Sequence, residues 1–188
     1  MPYYSSNIFG LVPLAYSENL KMGNVYLYDD EEKKITNTFT TNSNHEITGC
    51  EFFKKKILTT TFDSIEIFCL TSKEPMLFLK TCANVIRNFS SCFIDSTQDT
   101  HLAFKSPKQN QIVIYSVSKS LEYTIEGLTN GGQIGNIKLS KSGKLIAIST
   151  LSGDYIEVKN TKDGKTRDLF YRGYNPATIH SMVFSPND

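Results

Sequence analysis

Apolar and polar side chains alternate in short runs along most of the chain, and turn-forming residues punctuate them. One set of runs reads Ile47 to Phe53, Lys56 to Phe62, Ser64 to Leu70 and Pro75 to Thr81. A second reads Phe89 to Asp95, His101 to Lys105, Gln111 to Val117 and Leu121 to Ile125. A third reads Ile134 to Ser140, Lys144 to Thr150, Asp154 to Lys159 and Thr166 to Arg172, with hairpin turns at Lys141-Ser142-Gly143 and Lys162-Asp163-Gly164. β-Branched and aromatic residues fill the runs, and the period is that of an extended chain, whose successive side chains point to opposite faces. No segment of helical length carries a helical apolar stripe, so the expected fold is all-β.

The runs also repeat as a set. The central residues of the opening strands, Cys50, Cys92, Ile137 and Met182, lie 42, 45 and 45 residues apart by their numbers. Four short strands at that period are the signature of β-propeller blades. Before the first full set, Ile8 to Leu14, Asn24 to Tyr28 and Lys34 to Thr40 supply three strands of a blade that lacks its opening strand. After the third, Ala177 to Phe184 reads as the opening strand of a further blade. The expectation is therefore one partial propeller domain over 1–188. It comprises an incomplete blade (1–45), three full blades (46–82, 83–128 and 129–173) and a first strand of the next (174–188). Such strands make either a closed four-bladed ring or an incomplete arc of a larger one, and the arc is favoured because a blade's wedge angle is built for its parent ring.

Composition narrows the function classes. With 39% hydrophobic and 21% charged residues the chain has the make-up of a globular domain, and 20 basic against 19 acidic side chains leave a formal charge of +1. No global field draws it to nucleic acid, so any anion site is local. The four cysteines, Cys50, Cys69, Cys82 and Cys92, lack zinc spacing, and three sit in apolar runs as small buried thiols would, which suits a reducing compartment. Asn7 to Ala15 is interrupted by Pro13 and has no basic residue before it, so it reads as a first strand and not a signal core. Lys54-Lys55-Lys56 and Asp29-Asp30-Glu31-Glu32-Lys33-Lys34 read as solvated turns, and Gly131-Gly132 as a loop with no nucleotide-cradle pattern. His45, His101 and His180 have no nucleophile motif beside them, and neither catalysis nor a cofactor is expected.

The chemistry gathers near the end of the chain, in Leu169-Phe170-Tyr171-Arg172-Gly173 followed by Pro176-Ala177-Thr178-Ile179 and Phe184-Ser185-Pro186. With Val25-Tyr26-Leu27-Tyr28-Asp29-Asp30, Ser64-Ile65-Glu66-Ile67-Phe68, Leu102-Ala103-Phe104 and Gln111-Ile112-Val113-Ile114 in that order and spacing, the chain resembles the PROPPIN family. These are seven-bladed, WD-repeat-like propellers that bind phosphoinositides in autophagy and endolysosomal traffic. The family's signature is Phe/Leu-Arg-Arg-Gly, in which each arginine feeds one of two headgroup sites at the rim. Here the first arginine is Tyr171 and the second is Arg172.

The resemblance implies binding of membranes carrying phosphatidylinositol 3-phosphate or 3,5-bisphosphate, docking of autophagy machinery proteins on outer blade grooves, and a cytoplasmic location, peripheral on phagophore, endosomal or vacuolar membranes. It implies lipid-binding roles for Arg172, Gly173 and Thr150, and degenerate site positions at Tyr171, Asp154, Leu128 and Glu157, which stand where the family has an arginine, a threonine, a histidine and a further arginine. A carboxylate at Asp154 repels phosphate where a hydroxyl would donate to it, and a lost charged donor costs about 1.5 to 3 kcal/mol. The first site is therefore expected to be dead and lipid binding weak. The alternative is a degenerate propeller that binds only proteins.

Overall fold

The computed structural model describes residues 7–13, 20–43, 45–53, 56–72, 74–81, 89–94 and 96–187. Leu14 and Ala15 of the expected first run, Lys54, Lys55, Cys82 and Asp95 lie outside them. All regular structure among the described residues is β-strand. The chain divides into two compact units, 1–84 and 85–188.

In the first unit, β1 (Ile8–Leu11), β2 (Asn24–Asp29) and β3 (Lys34–Thr40) form a three-stranded antiparallel sheet. Next come β4 (Ile47–Phe53), β5 (Lys56–Thr61), β6 (Ser64–Cys69) and β7 (Pro75–Lys80), paired in chain order into a four-stranded meander. In the second unit β8 (Phe89–Ile94), β9 (Asp99–Lys105), β10 (Gln111–Ser116) and β11 (Leu121–Glu126) make one meander. A further meander is made by β12 (Ile134–Leu139), β13 (Leu145–Thr150), β14 (Tyr155–Asn160) and β15 (Thr166–Tyr171). These are the propeller-type sheets expected from the repeat, one of three strands and three of four.

The middle strands are largely buried on both faces, whereas the last strand of each sheet is more open, with Phe39 of β3 and Ile125 of β11 reaching the core. β13 is buried throughout and β15 is exposed throughout. In the second unit, Ile137 and Leu139 of β12 join Ala103, Ile112 and Ile114 of the preceding sheet in one core cluster with Ile146 and Ile148. The first unit repeats the device: Cys50 and Phe52 of β4 pack against the cluster of Val25, Leu27, Phe39, Ile57 and Phe68. Each fully buried Ile or Leu contributes about 1.5 to 3 kcal/mol relative to exposure. A polar tie accompanies the packing, because the Leu139 amide donates to Ser90 Oγ at 2.9 Å, buried between β12 and β8. The turn at Gly143 needs glycine on two counts: φ is +70°, and a Cβ would come within 2.8 Å of Ile94 Cδ1 and 3.3 Å of Cys92 Sγ.

Residues 177–184, expected as an opening strand, belong to no strand ladder among the described residues; Met182 and Phe184 pack on Leu145, Ala147 and Val158. A ladder needs a second strand beside it, and none is described there.

The third strand of two sheets carries an inward carboxylate that grips the linker leading into its own sheet. Glu66 accepts from the Asn42 amide at 2.9 and 3.1 Å and from Asn42 Nδ2 at 3.1 Å. Glu157 accepts from the Thr129 amide at 2.9 Å and from its hydroxyl at 3.1 Å. The positions are equivalent, since each lies just before the bulge in its sheet, between Ile67 and Phe68 in one and Val158 and Lys159 in the other. Their second neighbours differ: Phe68 is apolar, while Lys159 places its ammonium 3.4 Å from Glu157 Oε1. Burial pushes the Glu66 carboxyl up, and the Asn42 bonds only partly offset it. Burial also pushes Glu157 up, but donation by Thr166 and Thr129 and the charge of Lys159 outweigh it and hold the group below its usual value.

The two carboxylates therefore act on stability with opposite pH slopes. A raised folded pKa contributes stability at low pH that is lost as pH rises through it, and a lowered one contributes stability at high pH that is lost as pH falls through it. When Tm is followed from about pH 7 to about pH 3, across the carboxylate range, the gap between wild type and Glu66→Gln moves in favour of wild type. The gap between wild type and Glu157→Gln moves against it. Parallel slopes would contradict the assignment.

Candidate functional site

The site lies at one end of the last sheet, where the turn between β13 and β14 meets the chain leaving β15. Arg172 is exposed, but its guanidinium is anchored: Nε donates to the Gly153 carbonyl at 2.9 Å and Nη2 to the Asn175 carbonyl at 3.0 Å. The Arg172 amide donates to the Asp154 carbonyl at 2.8 Å, and the Ala177 amide to that of Ser152 at 2.9 Å. Arginine thus staples two loops, with its charge left at the surface. Gly173 beside it has φ +127° and open space around its α-carbon.

Asp154 closes the other side. Its Oδ1 accepts from Thr150 Oγ1 and Ser152 Oγ, each at 2.5 Å. Donation by Ser152 and Thr150, with the nearby charge of Arg172, holds its carboxyl below the usual value against a small opposing effect of burial. The Thr150 hydroxyl, expected to replace a headgroup donor, is thus committed to Asp154. Tyr171 is 77% exposed, and its ring lies tilted against Tyr155 with centroids 5.2 Å apart.

Of the residues that the resemblance assigns, Thr150, Asp154, Tyr171, Arg172 and Gly173 stand at this end of the sheet. Leu128 and Glu157, the other two degenerate positions, are buried and do not line it. Leu128 is fully buried in the core, its amide and carbonyl both held by the Asn110 side chain at 2.7 and 2.8 Å. Glu157 is fully buried, bonded to Thr129 and Thr166. Lys159, also buried, donates to the Glu126 carbonyl at 3.2 Å beside it. The sequence reading missed this cluster, although Tyr155, Glu157 and Lys159 at alternate positions of one strand share a face and signal it.

Asp99 forms a second polar cluster in the preceding sheet, accepting from Ser116 Oγ at 2.6 Å and the Ser118 amide at 2.9 Å, with His101 Nε2 at 3.1 Å. The serine donates to the carboxylate and not to the histidine, so the three do not form a nucleophile relay. Among the described residues no group of three or more His, Cys, Asp or Glu side chains could hold a metal ion, and no helix is long and apolar enough to cross a membrane. Burial pushes the Cys50 thiol up to about 12, which keeps it protonated at neutral pH. An open hollow of about 330 Å³ is lined by Gln109, Asn110, Gln111, Thr124, Ile125 and Glu126. With a carboxylate and no basic side chain in its wall, it does not suit an anion.

No protein-family model matches the chain. Among curated proteins it is similar to SVP1-like protein 2 of Schizosaccharomyces pombe, 23% identical over 186 residues, which is 98% of this chain and 50% of that protein. It is also similar to autophagy-related protein 18 of Kluyveromyces lactis, 28% identical over 95 residues, which is 50% of this chain and 19% of that protein. The chain spans about half the length of the SVP1-like relatives it matches. Among solved structures it superposes on Kluyveromyces lactis Hsv2 with a TM-score of 0.76 at 15% identity, over 100% of this chain and 55% of that one. It superposes on a structure described as a complex of KlAtg21 with the coiled-coil of AgAtg16 with a TM-score of 0.75 at 16% identity, over 97% and 59%. The fold class is thus that of a β-propeller. Its structural neighbours are PROPPINs, which bears out the resemblance read from the sequence.

Gly153 tests the staple. Its φ is +69°, and an added Cβ would lie 2.0 Å from the Ala177 carbonyl oxygen. Gly153→Ala is expected to cost about 1 to 3 kcal/mol in chemical denaturation and to speed proteolytic cleavage within 173–184. Unchanged stability and cleavage would show that the loop and the following segment are not held together this way.

Proposed function

We propose that this chain is a non-catalytic β-propeller scaffold of autophagosome formation and endolysosomal membrane traffic. It works in the cytoplasm, peripherally on phagophore, endosomal or vacuolar membranes carrying phosphatidylinositol 3-phosphate or 3,5-bisphosphate, and it docks autophagy machinery proteins. The observation that carries the lipid part is Arg172, an exposed guanidinium fixed at a sheet end by two main-chain carbonyls. A fork held in this way loses little conformational freedom on meeting phosphate oxygens, and it stays charged at every physiological pH. Support for the protein-docking part comes from the KlAtg21 neighbour, whose structure contains a coiled-coil partner.

Binding at this site is weak, for reasons on the same surface. Asp154 is ionised beside the guanidinium, and two unit charges about 4 Å apart interact by about 1 kcal/mol in water and about 4 kcal/mol at a protein surface. Its repulsion of a headgroup cancels much of what Arg172 gains. Tyr171 offers one hydroxyl and no charge where a second arginine would stand. A scaffold that binds proteins alone is the second reading. It is favoured by the same two carbonyl bonds, which give Arg172 a structural occupation without any lipid.

Vesicle flotation separates the two. With vesicles containing phosphatidylinositol 3-phosphate, the wild type floats weakly, Arg172→Ala lowers the bound fraction further, and Asp154→Thr raises it several-fold. Vesicles lacking the phosphoinositide capture none of them. Flotation that is indifferent to both substitutions removes Arg172 from the lipid mechanism and leaves the protein-only scaffold.

A further inference from the structure

The end of the second unit that lies away from Arg172 concentrates positive charge in its turns. Five lysines are exposed there: Lys119 between β10 and β11, Lys141 and Lys144 between β12 and β13, and Lys162 and Lys165 between β14 and β15. The exposed carboxylate among them is Asp163, whose Oδ2 stands 3.9 Å from Lys165 Nζ with both groups open to water. Lys119, Lys141, Lys144 and Lys162 form no ion pair among the described residues. Because the whole chain is close to neutral, with 20 basic against 19 acidic side chains, this end is a local excess of one sign.

The turns are fixed to one another and to the sheet before them. The Thr161 amide donates to the Lys144 carbonyl at 2.9 Å and its hydroxyl to the Gly143 carbonyl at 2.7 Å, so the last turn rests on the one before. Gly143 lies over Ile94 and Cys92, and a Cβ on Gly164 would sit 3.5 Å from Ile125 Cβ. The turn at Lys119 is tied down by the Ser118 amide, which donates to the buried Asp99 carboxylate at 2.9 Å. Strands β10 to β15, which these turns join, are all paired in their ladders. The patch therefore belongs to closed hairpins and not to an open edge. Like charges held together in this way repel, and a partner of opposite sign relieves the repulsion.

The residue types select among anions. Lysine presents a point charge on a flexible stem, without the fork that reads a base edge. No aromatic side chain stands in residues 118–120, 140–144 or 161–165 to stack a nucleobase, and no large apolar one to enter a bilayer interface. A run of carboxylates on an extended chain suits mobile ammonium groups, because its spacing need not match a rigid template.

We propose that the turns carrying Lys119, Lys141, Lys144, Lys162 and Lys165 dock an acidic, extended segment of a partner protein. Strand β14 is six residues long, so about 20 Å of strand separates this surface from the Arg172 end. That exceeds the roughly 8 Å over which exposed charges act at physiological salt, and docking here leaves Arg172 free.

Fluorescence anisotropy of a labelled peptide of alternating glutamate and serine, titrated with the 188-residue chain, is expected to show binding that weakens as salt rises. A peptide with glutamine in place of glutamate is expected not to bind. Lys141→Glu/Lys162→Glu is expected to weaken binding by about tenfold or more, with thermal unfolding unchanged. Lys80→Glu/Lys108→Glu makes the same change in net charge at exposed lysines elsewhere; it and Arg172→Ala are expected to bind as the wild type does. No preference for the glutamate peptide, or equal losses in the two double variants, overturns the proposal. Tighter capture of single-stranded DNA or of phosphatidylserine vesicles than of the peptide, dependent on Lys141 and Lys162, overturns it in favour of nucleic acid or membrane. The readout uses no phosphoinositide and does not involve Arg172, so failure here is distinct from failure of the flotation test.

Discussion

Within each of the two units the sheets depend on one contact: an opening strand, β4 or β12, whose inward side chains seat on the sheet before it. A single antiparallel meander of four short strands has two faces and cannot bury both alone. Within a unit, stacking gives the buried middle strands a neighbour, and the opening strand makes the joint. In the second unit that joint is Ile137 and Leu139 against Ala103, Ile112 and Ile114, with the Leu139 amide on Ser90. The last strands bear less of the load: Phe39 of β3 and Ile125 of β11 reach the core clusters, whereas β15 is exposed along its whole length. Freedom from packing is what lets its end carry Tyr171 and Arg172 at the surface.

The polar groups inside obey the same economy. Glu66 and Glu157 stand at one repeat position and hold the linkers that feed their own sheets, yet only Glu157 has a lysine two residues on. A buried carboxylate gripped by main-chain amides is tolerable with or without a counter-ion, and the repeat has drifted between the two solutions. Arg172 does comparable work at the rim, since its bonds to the carbonyls of Gly153 and Asn175 fix loop geometry. Any role in anion recognition is built on a residue that the fold already uses.

Much of this was legible in the sequence because its signals are local. Alternation and turn residues placed the strands of the three full sheets to within a residue or two, and the repeat of Cys50, Cys92, Ile137 and Met182 marked equivalent positions. Position in a ladder is not local, and that is where the reading of 177–184 departs from the structure: the segment has a strand's sequence but joins no ladder among the described residues. Leu128 and Glu157 were matched to pocket positions by motif alone. The alternation of Tyr155, Glu157 and Lys159 along β14 argues instead for one shared inward face, and the buried network there follows from it. The commitment of Thr150 to Asp154 depends on a four-residue turn closing on itself, which spacing permits but does not require.

The seating of opening strands can be measured directly by amide hydrogen exchange. The account predicts that the Leu139 amide, bonded to Ser90 across the joint, exchanges as slowly as the inner-strand amides of Ile146 and Ile148, while amides of β15 that face away from β14 exchange fast. Exchange at Leu139 as rapid as at the edge of β15 would show that the sheets do not rest on one another as described.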